Sequence, residues 1–212
     1  MDKFSENQVA DLFVGVSDIF AEKKEELCNI DAQMGDGDLG LTMDKGYGAL
    51  PGIIRNNTET GDVGKTLMKS GMKMAGLVPS TMGTLMASGI MEGGKALRGK
   101  TEIGAEELSK FLTAFAEGIQ KRGKCQLGDR TILDAVDAGA KKAAAAAALG
   151  KNMNEVIEAA AEGAAQGVEA TKSMKPKYGK AAVFASKAIG VPDQGAIAGM
   201  YMILGLKRSI EK

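Results

Sequence analysis

The chain has 212 residues, enough for one sizeable hydrophobic core, and we expect a single domain over residues 1–212. Its 27 basic and 27 acidic side chains cancel, which disfavours nucleic acid as a partner because nucleic-acid binding usually leaves a basic excess. The longest apolar stretch, near Gly195 to Leu206, is about half of the roughly 20 residues that span a bilayer, and the N-terminus has no signal-peptide core. We therefore expect a cytoplasmic protein with no membrane partner.

Helical periodicity dominates the chain. Apolar residues spaced three and four apart predict helices near Val9 to Phe20, Leu108 to Ile119 and Ile197 to Leu204. Ser5 and Gln8 have the spacing of a capping box, which predicts the start of the first helix.

A further helix is predicted from Leu133 to Leu149. Thr131 and Asp134 have the spacing of an N-terminal cap, and Gly150 tolerates the left-handed conformation that ends a helix. Alternating β patterns are nearly absent. The patterns predict an all-α protein of about eight helices, each of about 10 to 20 residues.

Breaks between the helices are predicted where glycine, proline and polar residues cluster. Because these connections are short, consecutive helices should be antiparallel neighbours. The predicted breaks lie near residues 29–38, 51–61, 77–79, 99–103, 123–130, 150–152, 175–179 and 190–193.

The chain contains no histidine. It therefore cannot use histidine as a general base, a metal ligand or a phosphoryl carrier. Any ion that it binds must be held by carboxylates and other oxygens, and oxygen ligands favour hard cations, chiefly magnesium and calcium.

Three aspartates, Asp31, Asp36 and Asp38, fall within eight residues, with Gly35 and Gly37 beside the last two. Glycine permits turns that other residues resist, so such a loop can direct three carboxylates to one point. Like charges held together repel and lose solvation, and a bound cation would offset both costs.

Two other interpretations of this loop exist. Asp38 could simply cap a helix that begins near Leu39, because aspartate and glycine are ordinary turn residues. An EF-hand is excluded by spacing, since Thr42 and Tyr47 occupy the positions where its glutamate would stand.

The stretch from Ile30 to Gly40 resembles the Leu-Asp-x-x-x-Gly-Asp-x-Asp-x-Gly signature of the dihydroxyacetone kinase L subunit family. The segment Gly128 to Thr131 is similar to the family's Gly-Asp-Lys-Thr turn. The segment Ala188 to Ala196 is similar to its Ser-Ile-Gly-x-x-Asp-Pro-Gly-Ala segment. The three motifs occur in the family's order along nearly the whole chain.

The resemblance implies a closed barrel of eight antiparallel amphipathic helices, with a nucleotide among the loops at one end. It implies two Mg²⁺ ions that bridge aspartates and phosphates, with Asp31, Asp36 and Asp38 as metal ligands. Magnesium accepts a few carboxylates together with phosphate oxygens and waters. The implied contacts to ADP or ATP are Leu39, Gly40, Leu41, Thr42, Ser80, Thr81, Gly123, Ile132, Lys180, Asp193 and Gly195.

Several of these positions depart from the family pattern. Leu39 stands where the family often has histidine, and residues 79–84 replace a pattern close to Gly-Gly-x-Ser-Gly. Ser80 could act only as a helix cap. Lys180 stands where arginine is usual, which keeps the charge but loses the bidentate fork, and it could be a solvated lysine. Gln194 stands in place of proline.

The resemblance also implies a function. The chain would bring the phosphoryl group, and a partner K subunit would hold dihydroxyacetone or a related small ketose and supply the acid–base groups. Bound ADP could be rephosphorylated by a phosphohistidine carrier of the phosphotransferase system, or ATP could exchange. No catalytic residue is assigned. The alternatives are the nucleotide-binding half of a fatty-acid-kinase-like system and a non-catalytic, regulatory ADP-binding protein.

Overall fold

The computed structural model describes residues 2–184 and 188–212, apart from the side chain of residue 184. Short strands β1 (Phe4–Ser5) and β2 (Glu102–Ile103) form one antiparallel pair, and short 3-10 helices span Glu6–Gln8 and Lys180–Phe184. The α-helices are α1 (Val9–Leu12), α2 (Val14–Glu22), α3 (Lys24–Asp31), α4 (Leu39–Arg55), α5 (Val63–Leu77), α6 (Thr81–Ala96), α7 (Ala105–Gly123), α8 (Ile132–Ala148), α9 (Met153–Thr171) and α10 (Gln194–Ile210).

The long helices form a ring in which each packs against the next. Contacts run from α4 through α5, α6, α7 and α8 to α9, and α10 packs against α8, α9 and α2. Because α2 in turn packs against α4, the last helix closes the ring on the first long one. The prediction of an all-α closed barrel is confirmed, and its closure involves helices rather than a sheet.

The closure of the ring depends on glycine. A Cβ on Gly205 of α10 would lie 2.4 Å from the Cα of Val16, and one on Gly15 of α2 would lie 2.4 Å from the carbonyl oxygen of Gly205. The two backbones touch there, and the backbone N–H of Gly15 donates to Oγ of Ser209 at 2.8 Å.

Aromatic side chains fill the core between the helices. Phe20 of α2 stacks on Tyr47 of α4 with ring centroids 4.8 Å apart, and Phe13 meets Phe111 of α7 edge to face at 6.1 Å. All four rings are almost completely buried. Such aromatic pairs stabilise the fold by more than the burial of their apolar surface alone. They therefore help to hold in place the helices that carry the loops at the barrel's end.

The predicted helix boundaries were correct in some places and wrong in others. Thr131 caps α8 by accepting from the backbone N–H of Leu133 at 3.2 Å, and Gly150 follows α8 with a φ of 70°. The break predicted from residue 51 was wrong, because Pro51 is buried inside α4 and the helix continues to Arg55. Burial of Leu50, Pro51 and Ile54 on one face outweighs the backbone hydrogen bond that proline cannot donate.

The first helix also differs from its prediction. The Ser5–Gln8 capping box is present, but it starts the 3-10 turn Glu6–Gln8. The chain then bends at Phe13, which separates α1 from α2. Within residues 2–184 and 188–212, every helix is too short or too polar to cross a membrane.

Candidate metal and phosphate site

The three aspartates converge at the end of α3 and in the loop that follows it. Asp31 is the buried last residue of α3, whereas Asp36 and Asp38 are exposed. One carboxylate oxygen from each lies within 4.8 Å of the others. Three carboxylates at this separation repel one another, and a hard cation that accepts oxygen ligands would relieve that repulsion.

The loop is folded back on its first aspartate. The backbone N–H of Gly37, which has a φ of 78°, donates to Oδ2 of Asp31 at 2.9 Å. A Cβ on Gly35 would lie 2.2 Å from Oδ1 of the same carboxylate. Asp38 precedes α4 but makes no side-chain cap bond among the described residues. The simple capping interpretation of Asp38 is therefore not what the structure shows, and this donor set fits a magnesium-type ion.

Lys180 lies beside the aspartates. Its Nζ is 3.2 Å from Oδ2 of Asp36, and both side chains are about 60% exposed. The ammonium group holds the pKa of Asp36 below its usual range, which keeps this carboxylate ionised. The 3-10 helix Lys180–Phe184 thus places a cation at the edge of the carboxylate cluster.

A cavity of about 340 Å³ opens beside the carboxylates. Eight of the residues that the sequence predicted for the site line it: Asp31, Asp36, Leu39, Thr81, Ile132, Lys180, Asp193 and Gly195. A neighbouring groove of about 420 Å³ is lined by two more, Ser80 and Gly123. Thr81 and Leu85 belong to both walls, so the two spaces are continuous.

Four helices begin at the wall of this cavity. Their first residues, Leu39 of α4, Thr81 of α6, Ile132 of α8 and Gln194 of α10, all line it. The first N–H groups of a helix have no acceptor within the helix, and the helix dipole makes that end positive. Four such ends around one cavity favour an anion such as a phosphate.

Side chains that cap these helices accept hydrogen bonds from some of the first backbone N–H groups. Only the remaining N–H groups are free to bind a ligand. Oγ of Ser80 accepts from the backbone N–H of Gly83 at 3.0 Å, so Ser80 caps α6. Oδ2 of Asp193 accepts from the N–H of Ala196 at 2.9 Å. A contact between either side chain and a nucleotide stays a prediction.

Three predicted contacts are not brought to the cavity among the described residues: Gly40, Leu41 and Thr42. Gly40 packs against α3, where an added Cβ would lie 1.9 Å from the carbonyl oxygen of Lys24, and Leu41 is 57% exposed. They lie in the first turn of α4, so Gly40 and Leu41 can reach an anion only through backbone N–H groups. Their role in nucleotide binding stays a prediction.

The sequence reasoning missed Arg130, a buried cation in the cavity wall. Arg130 has a left-handed φ of 60°, its Nη2 donates to the carbonyl oxygen of Val191 at 3.0 Å, and its Nη1 is 3.6 Å from Oδ1 of Asp193. Its Nε and Nη1 have no hydrogen-bond partner among the described residues. Arg130 belongs to the Gly128–Thr131 motif, whose sequence predicts a turn ahead of a helix and gives no sign of a buried cation.

Burial dominates the electrostatics of Asp193. It raises the pKa of this carboxyl to about 6, although Arg130 and the N–H of Ala196 both favour the ionised form.

The sequence also missed Met34 and Tyr178 in the cavity wall. Tyr178 lies in a predicted break, a region where spacing gives no information about contacts.

Comparison with known proteins identifies related chains. The family model described as DAK2 domain matches residues 33–208. The chain is 27% identical over 203 residues to the PEP-dependent dihydroxyacetone kinase ADP-binding subunit DhaL of Escherichia coli, covering 94% of each chain. It is 31% identical over 177 residues to the ADP-binding subunit DhaL of the PEP-dependent dihydroxyacetone kinase 1 of Listeria innocua, covering 82% of each.

A solved structure has the same fold. The crystal structure of the dihydroxyacetone kinase from C. freundii in complex with AMP-PNP and Mg²⁺ aligns with a TM-score of 0.68 at 23% identity. The alignment covers 95% of this chain and 33% of the C. freundii kinase, so this chain corresponds in fold to about a third of that protein.

Proposed function

Because this chain belongs to the DAK2 domain family, we propose that it is the nucleotide-binding subunit of a dihydroxyacetone-type kinase, folded as one domain over residues 1–212. One observation carries the proposal: two of the three clustered carboxylates, Asp31 and Asp36, and the first residues of four helices line a single cavity. A cluster of anions beside a ring of positive helix ends suits a ligand that is itself a metal–phosphate pair.

In this proposal Asp31, Asp36 and Asp38 hold two Mg²⁺ ions. The ions would neutralise charge on the phosphates of ADP or ATP. The chain's own residues would do the positioning: Lys180 and the first N–H groups of α4, α6 and α10 would bind phosphate oxygens. Asp31, fixed by the N–H of Gly37, would give the metal cluster a rigid first ligand.

We assign the base to the groove that runs from the cavity towards Gly123. Leu85 lies in both walls, and Ile132 lines the cavity on the side of α8. A Cβ on Gly123 would lie 3.1 Å from Cδ2 of Leu85, so a larger residue would narrow the groove. The adenine ring would lie among Leu85, Gly123 and Ile132.

The ketose would be bound elsewhere. The chain lacks histidine, and in this proposal the nucleotide and its metals would occupy the described cavity. We therefore infer a partner K subunit that holds dihydroxyacetone or a related ketose. Since two relatives are ADP-binding subunits of PEP-dependent kinases, we further propose that ADP stays bound and is rephosphorylated by a phosphohistidine carrier protein.

The test combines retention and turnover. Mass spectrometry of the denatured, purified protein should detect ADP, and phosphoryl transfer to dihydroxyacetone should occur with a K subunit and PEP plus carrier proteins. Asp36→Ala should lose both, whereas Asp11→Ala, which removes an exposed aspartate paired with Arg55, should lose neither. Equal nucleotide affinity in Asp36→Ala and the unaltered protein would contradict the assignment of Asp36 as a metal ligand. Turnover with ATP alone would show that ATP exchanges as a substrate. It would contradict the proposal that bound ADP is rephosphorylated.

A further inference from the structure

Two loops are joined by an ion pair and hydrogen bonds beside the cavity. One is the connection between α7 and α8, and the other is the segment that leads to Lys180. Lys177 forms an ion pair with Asp129, the N–H of Lys177 donates to the carbonyl oxygen of Asp129 at 3.2 Å, and the hydroxyl of Tyr178 donates to the carbonyl oxygen of Lys124 at 2.9 Å. We call these four residues, Lys124, Asp129, Lys177 and Tyr178, the clasp.

We propose that Asp129 is a positioning residue which, through Lys177, holds the segment of Tyr178 and Lys180 across the cavity and so slows nucleotide release. This inference rests on the proposed function, because it concerns the same cavity. It assigns to this chain a determinant of whether nucleotide is retained or exchanges.

The Asp129 half of the clasp is rigid. Its side chain is 2% exposed, and its Oδ2 accepts from the backbone N–H of Gln126 at 2.8 Å. Lys177 holds the pKa of Asp129 below its usual range, and Asp129 raises the pKa of Lys177. An ion pair between two mobile surface side chains contributes little, but here one partner is already fixed, so less side-chain freedom is lost.

The other half of the clasp leads directly to the cavity. Tyr178, Gly179 and Lys180 follow Lys177 in the chain and line the cavity wall. Lys180 in turn pairs with Asp36 on the carboxylate loop. The segment is therefore attached on one side to Asp129 and on the other to Asp36, and it spans the space between them. A ligand beneath this segment would leave faster when either attachment is broken.

The experiment measures release of N-methylanthraniloyl-ADP from the magnesium-loaded full chain, chased with unlabelled ADP in a stopped-flow fluorimeter. Asp129→Asn keeps an oxygen for the N–H of Gln126 but removes the charge, and Lys177→Met removes the ammonium from an exposed position. Each should speed release roughly three- to tenfold. The double variant should be no faster than the faster single one, since both remove the same contact. Lys177→Arg should keep slow release.

The control is Lys151→Met, which breaks the Lys151–Glu155 ion pair of 2.7 Å at the far end of α8, about 25 Å from its start. It should leave release unchanged, and thermal melting should be similar for all variants. Normal probe binding with unaltered release in Asp129→Asn and Lys177→Met would overturn the clasp and leave the proposed function standing. A wild-type protein that binds no probe would overturn both.

Discussion

The backbone N–H of Gly37 donates to the carboxylate of Asp31 at 2.9 Å, so the first aspartate of the cluster holds the loop that carries the other two. Asp31 is buried at the end of α3, and that helix packs against α4. The position of the carboxylates is therefore coupled to the packing of the barrel, although Asp36 and Asp38 are exposed.

Gly35→Ala should weaken magnesium and ADP binding without unfolding the protein. The new Cβ would lie 2.2 Å from Oδ1 of Asp31 and 2.8 Å from its backbone carbonyl oxygen, so the carboxylate would have to move and the loop backbone would have to shift. Displacing a metal ligand in this way typically costs about 10- to 100-fold in affinity. Isothermal titration with Mg²⁺ and ADP measures the effect. Gly48→Ala, where no described atom lies within 4 Å of the new Cβ, should bind normally.

The aspartate cluster could be predicted from the sequence because its residues are close together in the chain. A loop of eight residues brings Asp31, Asp36 and Asp38 together largely by local geometry. Arg130 could not be predicted, since its partners Val191 and Asp193 are about sixty residues away and their proximity depends on how α8 and α10 pack. Helical periodicity predicts which face of a helix is buried, but it does not predict which loops meet at the barrel's end.

Gly40 has a packing role that the sequence did not predict. It was predicted as a nucleotide contact, and the structure places its Cα against the backbone of α3. Gly40→Ala should therefore destabilise the fold by about 2 kcal/mol or more, because the carbonyl oxygen of Lys24, only 1.9 Å from the new Cβ, is backbone and cannot rotate away. Urea unfolding measures the loss.

The matched control is Gly52→Ala on the same helix, where no described atom lies within 4 Å of the new Cβ. It should be neutral or stabilise the protein by about 0.5 to 1 kcal/mol, as expected for alanine in place of an exposed helical glycine. Equal stability of the Gly40 and Gly52 variants would contradict the tight contact between α3 and α4.

Asp193→Asn should change the pH dependence of stability. Burial raises the pKa of Asp193 in the folded protein to about 6, above the value of about 3.9 in an unfolded chain. The folded state then binds the proton more tightly, so this group lowers the free energy of unfolding as pH rises from about 4 to about 6, by at most about 3 kcal/mol.

Urea unfolding of nucleotide-free protein at several pH values from 4 to 7 tests this. Asparagine cannot ionise, and its oxygen can still accept from the N–H of Ala196. The stability of the variant relative to wild type should therefore rise between about pH 4 and pH 6 and then level off. A constant difference across this range would show that Asp193 titrates normally in the fold.

Lys180→Met should have opposite effects on its two ligands. The lysine lies 3.2 Å from Asp36, and we propose that it also binds phosphate oxygens. Without it, ADP in the presence of magnesium should bind roughly tenfold more weakly, because a charge-assisted contact is lost. Mg²⁺ alone should bind about two- to fivefold more tightly, because the cation that competes for the carboxylate of Asp36 is gone. Lys180→Arg should keep the ADP affinity, since the charge remains.

Titration of nucleotide-free and ADP-containing protein separates the two effects. Lys142→Met, which removes an exposed lysine paired with Glu162 away from the cavity, serves as the control and should change neither affinity. General damage to the loop would weaken both ligands together, so only the opposite signs support a direct role for Lys180. Weakening of both would mean that Lys180 shapes the segment rather than contacting the phosphates.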